Sequence, residues 1–292
     1  MRATPIAYVL ALALGACQPD QAPQALQADD FGDAIVRGKS PQRVVSLNPA
    51  TTDLIFALGA GNRLVGRTHW DHYPPAAEAV PDLGSGLRPN VEVILAAKPD
   101  LVVLYASADN RAAARELRAA GVNTLALKID SISEFHRASR ILGILLGDSV
   151  RGAIVSDSVE KTLMRVRKAT AALPKPRVFW HIWDAPLITI ARGSYMNELI
   201  EIAGGTNIYG DLPDASPMVS IEDVLKRDPQ MILTGPDGAA KISGDPRWSE
   251  APAVKKGGIL IVDTTLVGRP SVRLGEAAVS LARLLHPGVV FR

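Results

Sequence analysis

The chain is 292 residues long, enough for two domains with their own cores. Its 32 basic and 30 acidic residues nearly cancel to +2, with no strong basic block, which argues against a nucleic-acid partner. An apolar content of 47% with 21% charged residues is ordinary for a folded, soluble protein.

Residues 1–16 read as a signal peptide. Arg2 supplies positive charge, and Ile6 to Leu14 is an apolar run too short to span a bilayer as a helix. The run ends in Leu14-Gly15-Ala16-Cys17, which resembles a bacterial lipobox, so Cys17 is expected to carry a lipid. Cys17 is the chain's single cysteine, so no intramolecular disulfide can form. Residues 17–27 are polar and Pro-rich and read as a tether. The expected location is the periplasm, lipid-anchored to a membrane, with no other membrane contact.

Residues 28–147 read as one α/β lobe. Asp30 to Asp33 and Gly38 to Ser40 look like turns around a short strand pair. Val44 to Leu47 is an apolar strand that breaks at Asn48-Pro49, and Thr51 or Thr52 can cap the next helix. Strands and helices then alternate: 63–66, 91–97, 101–105, 110–120 and 124–128. This alternation predicts a mostly parallel sheet covered by helices. Residues 148–173 carry a helical pattern without Pro, with Val150, Ile154, Val155, Val159, Leu163, Val166 and Ala169 as apolar positions. A helix of ~25 residues spans ~37 Å, suited to a stiff connector. Residues 174–292 read as a second lobe, with strands near 177–183 and 259–262 and a closing helix over 271–285.

The two lobes share a unit. Asn90-Val91-Glu92-Val93-Ile94-Leu95 leads to Pro99-Asp100-Leu101-Val102-Val103. Ser220-Ile221-Glu222-Asp223-Val224-Leu225 leads to Pro229-Gln230-Met231-Ile232-Leu233. A repeat of this size implies two similar lobes, and the cleft between lobes is a common ligand site. Glu92 and Glu222 hold equivalent positions. Each either answers its helix dipole or offers one charge to a two-fold symmetric partner.

Ligands in open α/β sheets sit beyond the carboxyl ends of strands. Those exits carry His69, Trp70, Asp71, His72 and Tyr73; Tyr105; His181, Trp183 and Asp184; and Thr264, Thr265 and Arg269. Aromatic residues make up only 5% of the chain, so several at these exits suit a large planar ligand. His69, Asp71, His72 and His181 are alternative donors for zinc or manganese. No GxSxG, HExxH, GxGxxG or GxxxxGK[ST] motif is present, so neither an enzyme nor a phosphate loop is expected.

The residues Arg43-Val44-Val45-Ser46-Leu47-Asn48-Pro49-Ala50-Thr51-Thr52-Asp53, Tyr73-Pro74-Pro75, Lys98-Pro99-Asp100, Ala203-Gly204-Gly205-Thr206-Asn207, Val219-Ser220-Ile221-Glu222 and Arg269-Pro270-Ser271-Val272-Arg273 together carry a resemblance. From about residue 28 onward the chain resembles the substrate-binding proteins of bacterial ABC importers for vitamin B12, iron-siderophores and haem. The resemblance implies an α/β protein of two similar lobes with mostly parallel sheets, joined by one long α-helix, with little hinge motion. It implies that Glu92 and Glu222 engage arginines of the permease dimer. Taken together with the strand exits, it leads to an expected ligand site at Pro49, Ala50, Trp70, Tyr73, Tyr105, His181, Trp183, Thr265 and Arg269, with no catalytic residue and no bound cofactor or metal of its own.

The B12-binding branch looks most similar. Trp70 matches its aromatic ahead of Tyr-Pro-Pro, Tyr105 its pocket aromatic, and Arg269 its late arginine. Gly86 and Ser216 depart from it, standing where pocket tryptophans are expected. Gly84-Ser85-Gly86-Leu87 likewise replaces the segment in which haem binders offer a tyrosine. The ligand expected is a corrinoid, with a ferric siderophore or haem as the alternative.

Overall fold

The computed structural model describes residues 27–291. The expected lipid site at Cys17 and the signal peptide lie outside the described residues.

The first half begins with β1 (Val44–Ser46), α1 (Pro49–Ala57) and β2 (Leu64–Gly66). It continues with α2 (Val91–Ala96), β3 (Leu101–Tyr105), α3 (Asn110–Ala119), β4 (Asn123–Leu127) and α4 (Ile132–Leu145). A long helix, α5 (Ser149–Thr170), leads into the second half. There follow β5 (Arg177–Trp180), β6 (Trp183–Asp184), β7 (Leu187–Ile188), α6 (Tyr195–Ile202), β8 (Thr206–Asn207) and α7 (Ile221–Lys226). The chain then runs through β9 (Met231–Thr234), α8 (Pro236–Gly244), α9 (Pro252–Lys255), β10 (Ile259–Ile261), α10 (Thr264–Val267) and α11 (Leu274–Leu285).

Each half builds a four-stranded parallel sheet, ordered β2-β1-β3-β4 and β10-β9-β5-β8. Counted within its own half, each sheet runs second, first, third, fourth strand. The period-2 alternation of strand side chains explains the layering. Val44, Val103, Leu125 and Leu127 face one way, into a core shared with α1, α4 and α5. Val45, Val102, Leu104 and Ala126 face the other way, under Ile94, Ala114 and Leu117. In the second half Val178, Trp180 and Leu233 join the same shared core, while Phe179 and Ile232 pack outward with Val224 and Trp248. One apolar core therefore runs continuously beside α5 from sheet to sheet.

The α5 helix meets its neighbours through small residues. A Cβ on Gly143 of α4 would stand 2.8 Å from the Gly152 Cα, and one on Gly152 would stand 2.8 Å from the Ser139 carbonyl oxygen. A Cβ on Gly275 of α11 would lie 2.8 Å from the Thr162 side chain. Such contacts hold backbones close and resist sliding. They also correct the expected apolar stripe: Val150 and Ile154 are exposed, and the buried face is Gly152, Ser156, Val159, Leu163, Val166 and Thr170.

Other local expectations change too. Asn48, not Thr51 or Thr52, caps α1: its side-chain oxygen accepts from the Ala50 amide at 3.0 Å, and Pro49 needs no partner as the first helical residue. Thr51 and Thr52 are buried, with their hydroxyls bonded to that of Ser46 at 2.7 and 2.8 Å. The strand pair near residue 30 reduces to one bridge, Ala28 to Ala34, because Asp29 draws the Phe31, Asp33 and Ala126 amides onto its carboxylate. The strand expected over 177–183 stops at Trp180, and Trp183 opens the antiparallel hairpin β6–β7. The closing helix starts at Leu274 rather than at residue 271.

Candidate ligand-binding site

The carboxyl ends of β5, β9 and β10 open onto a cavity of about 430 Å³, lined among others by His181, Trp183, Asp184, Thr234 and Lys241. One polar chain organises this wall. The Thr234 hydroxyl meets His181 Nδ1 at 3.0 Å, His181 Nε2 meets Asp184 at 2.9 Å, and Lys241 donates to Asp184 at 2.7 Å. Both imidazole nitrogens are thus committed, and His181 is buried. Burial pulls its pKa down, against the opposing pull of Asp184. Gly238 of α8 lets that helix sit against the ring, since a Cβ there would come within 2.7 Å of His181 Nδ1. The Lys241 ammonium lies 5.7 Å from the centre of the Trp183 indole.

Trp183 is 58% exposed, and beside it Ile182 and Met218 are also exposed. Met218 lies by the hairpin through the Ile188–Met218 bridge. In the first half Trp70 is likewise 58% exposed, its ring 4.6 Å from that of His69 and tilted 56° to it, and Leu87, three residues after the Gly84 carbonyl that the His69 amide meets, is exposed too. Large apolar side chains left uncovered at strand exits are costly in water unless something covers them.

Pro49 and the buried Ala50 form the first turn of α1. Thr265 sits in the first turn of α10, its hydroxyl donating to Asp263 at 2.6 Å. The Tyr105 hydroxyl donates to both Asp130 oxygens at 2.8 Å; burial and that carboxylate together push its pKa well up.

Two pairs join the halves, Tyr73 with Arg273 and Asp53 with Arg269. The Arg273 guanidinium stacks on the Tyr73 ring at 4.7 Å, and Arg269 pairs with Asp53 of α1 at 3.3 Å. The expected residues therefore stay apart: Trp70 in the first half, His181 and Trp183 in the second, Tyr73 on Arg273, Arg269 on Asp53, Tyr105 on Asp130, and Pro49, Ala50 and Thr265 at helix starts. The His69, Asp71, His72 and His181 donors do not converge. His72 meets Glu78 at 3.5 Å, Asp71 is buried on Thr68, and His181 belongs to the second sheet. No group of three or more His, Cys, Asp or Glu among the described residues could hold a metal ion.

Sequence reading missed Asp53, Lys241, Leu87, Ile182 and Met218. Only Asp53 had a signal, as the one charged residue of α1. Gly86 gains a physical reason. A Cβ there would stand 2.1 Å from the Leu47 carbonyl oxygen, so the backbone itself fills the place.

Glu92 and Glu222 are both exposed, each the second residue of its helix, α2 and α7. Asn90 and Ser220 cap those helices by accepting from the third amide, both at 3.2 Å. The Glu222 carboxyl is held below its usual range by its own backbone amide and then by Ser220.

Residues 44–265 match the model of the periplasmic binding protein family. The chain belongs to that family. Among curated relatives, a vitamin B12-binding protein of Vibrio cholerae is 27% identical over 237 residues, covering 81% of this chain and 86% of the relative. An ABC transporter substrate-binding lipoprotein of Bacillus subtilis is 30% identical over 258 residues, covering 85% and 81%. The crystal structure of the V. cholerae periplasmic vitamin B12-binding protein superposes with a TM-score of 0.73, covering 84% of this chain and 96% of that one at 27% identity. A periplasmic haem-binding protein from Roseiflexus in its apo form reaches 0.75, covering 83% and 97% at 26% identity. Family membership makes this a substrate-binding transport protein, not an enzyme, with a small-molecule ligand and a permease partner. Among the described residues no helix is long and apolar enough to cross a membrane.

Proposed function

We propose that the chain captures a corrinoid in the cleft between its halves and delivers it to an ABC permease. The observation that carries this reading is the pair of indoles, Trp70 and Trp183, each 58% exposed at a strand exit of its own half. A flat macrocycle covers two such faces at once, and its rim amides find partners in the polar wall of Asp184 and Lys241. Relatives named as vitamin B12-binding proteins support the same choice. Pro49, Ala50, Tyr73, Tyr105, His181, Thr265 and Arg269 complete the proposed site. His181 acts through Asp184, because neither ring nitrogen is free to take a metal. Glu92 and Glu222 dock the loaded protein on the permease, and a lipid on Cys17 anchors it to the membrane.

A ferric siderophore or haem is the second reading. Against the corrinoid stands Gly86, where the B12 branch has a pocket tryptophan and this backbone leaves no room for a side chain; the same segment lacks the haem binders' tyrosine, which puts the siderophore ahead of haem. Titrating cyanocobalamin into the protein while following tryptophan fluorescence tests the choice. Quenching in the wild type that is weakened by Trp70→Ala supports the corrinoid; no quenching by cyanocobalamin, with quenching by haemin, rejects it.

A further inference from the structure

The junction of the two halves contains a carboxylate that the family resemblance does not explain. Asp53 lies on α1, and its side chain has no solvent exposure. It faces Arg269 of the second half through a two-point contact: Nε to Oδ2 at 3.3 Å and Nη2 to Oδ1 at 3.5 Å. This grips one edge of the guanidinium and, among the described residues, leaves Nη1 without an acceptor. Arg269 itself stays 23% exposed, directly after Gly268 on the cavity wall. We infer that Asp53 is a positioning residue for Arg269, holding that edge so that the opposite one meets an anionic oxygen group on the ligand, and that a proton on this pair strengthens the capture. The inference rests on the reading of Arg269 as a ligand contact.

The surroundings determine how the pair is charged. Arg273, at the start of α11, and Asp71, in the turn after β2, act on Asp53 with opposite sign. Arg273 is itself shared with Glu276 at 2.9 Å, the Tyr73 ring and Asp263. Asp71 spends Oδ2 on the Thr68 amide and hydroxyl, at 2.7 and 2.5 Å, and its buried Oδ1 finds no partner among the described residues. Tyr195 of α6 faces Arg269 and donates its hydroxyl to the Val267 carbonyl at 2.5 Å. Burial raises Asp53 to about 7, outweighing the two arginines. With Asp53 ionised the Asp53–Arg269 pair is neutral; with Asp53 protonated it carries one positive charge. An incoming anion then meets a full cation in a partly dry site, and its binding draws a proton onto Asp53.

The shared chemistry is a carboxylate or phosphate on a planar macrocycle, such as a haem propionate or the phosphodiester of a corrinoid. The test compares wild type, Asp53→Asn and Arg269→Gln in full-length protein, with cyanocobalamin and haemin as separate probes from pH 6 to pH 9. The expected wild-type Kd rises by up to roughly tenfold per pH unit above pH 7. Asp53→Asn keeps the shape without the charge, so it should stay at the low-pH affinity throughout. Its ratio to wild type cancels any titration of the probe itself. Arg269→Gln should bind weakly at every pH. Calorimetry of the wild type at pH 7.5, in two buffers of different ionisation enthalpy, should show net proton uptake on binding. This second measurement stands even if Asp53→Asn does not fold. Binding that ignores Arg269→Gln, or no proton uptake, overturns the inference and leaves the proposed function intact. Binding of neither probe overturns both.

Discussion

Arg43 and Arg177 do the same work in the two halves. Arg43 donates from Nε to the Lys98 carbonyl at 2.8 Å and from Nη2 to that of Ala97. Arg177 donates from Nε to the Asp228 carbonyl at 3.1 Å and from Nη2 to that of Arg227. Among the described residues, Lys98 and Asp228 are the two non-glycine residues with positive φ, at 50° and 48°. Such backbone is uncommon for these side chains and needs outside support. Arg43 stands just ahead of β1 and Arg177 opens β5, and each pins the turn that follows the helix bearing Glu92 or Glu222. The repeat is thus a repeated clamp as well as a repeated pattern.

Removing either clamp should loosen one half without touching the cleft. Arg43→Ala and Arg177→Ala are each expected to cost roughly 0.5–1.5 kcal/mol, the net worth of ordinary hydrogen bonds at partly exposed positions. The two losses should add, because the sites are far apart. Urea denaturation of the single and double variants measures this.

Gly143 and Gly152 predict a second stability effect. Alanine at either position pushes a methyl group into backbone 2.8 Å away and forces α4 off α5. The expected cost is roughly 1–3 kcal/mol each, in the range of overpacking. A thermal melt of each variant that matches the wild type would show that the helices part without penalty.

Much of this was legible. The parallel sheets follow from the strand–helix alternation, and the paired halves from the repeat around Glu92 and Glu222. The misreadings share one cause, which is tertiary context. Val150 and Ile154 look like a core stripe, but glycine at 143 and 152 turns another face of α5 inward. Trp183 reads as strand, but Pro186 and the hairpin turn lift it out of the sheet. Within the site, the strand exits pointed to Trp70, Trp183 and Arg269. The contact between Asp53 and Arg269 spans 216 positions, and no local pattern announces it.

Asp53 also gives stability a pH slope of definite sign. A carboxyl raised from 3.8 to about 7 keeps its proton in the folded state where the unfolded chain has lost it. The folded state then binds more protons across that window, so stability falls as pH rises from about 4 to about 7. One proton corresponds to at most roughly 1.4 kcal/mol per pH unit. Other groups, including the buried His181 whose pKa burial pulls down, act the opposite way at low pH. The difference between wild type and Asp53→Asn isolates the effect. Unfolding curves of the two from pH 4 to pH 8 should converge or cross as pH falls, and parallel curves would contradict it.

Docking should depend on the matched glutamates. Glu92→Ala combined with Glu222→Ala is expected to leave ligand affinity unchanged and reduce cellular uptake to background. Charge reversal to Lys should be worse, because it sets like charges against permease arginines. Normal uptake by the double variant would return both residues to the helix-dipole role.

The central claim is a macrocycle covering Trp70 and Trp183, and calorimetric titration of the purified protein with cyanocobalamin tests it most directly. The wild type should form a saturable one-to-one complex, weakened by about 1–3 kcal/mol in Trp70→Ala and again in Trp183→Ala through lost apolar burial. No heat with cyanocobalamin, alongside tight binding of a ferric siderophore or haemin, would contradict it.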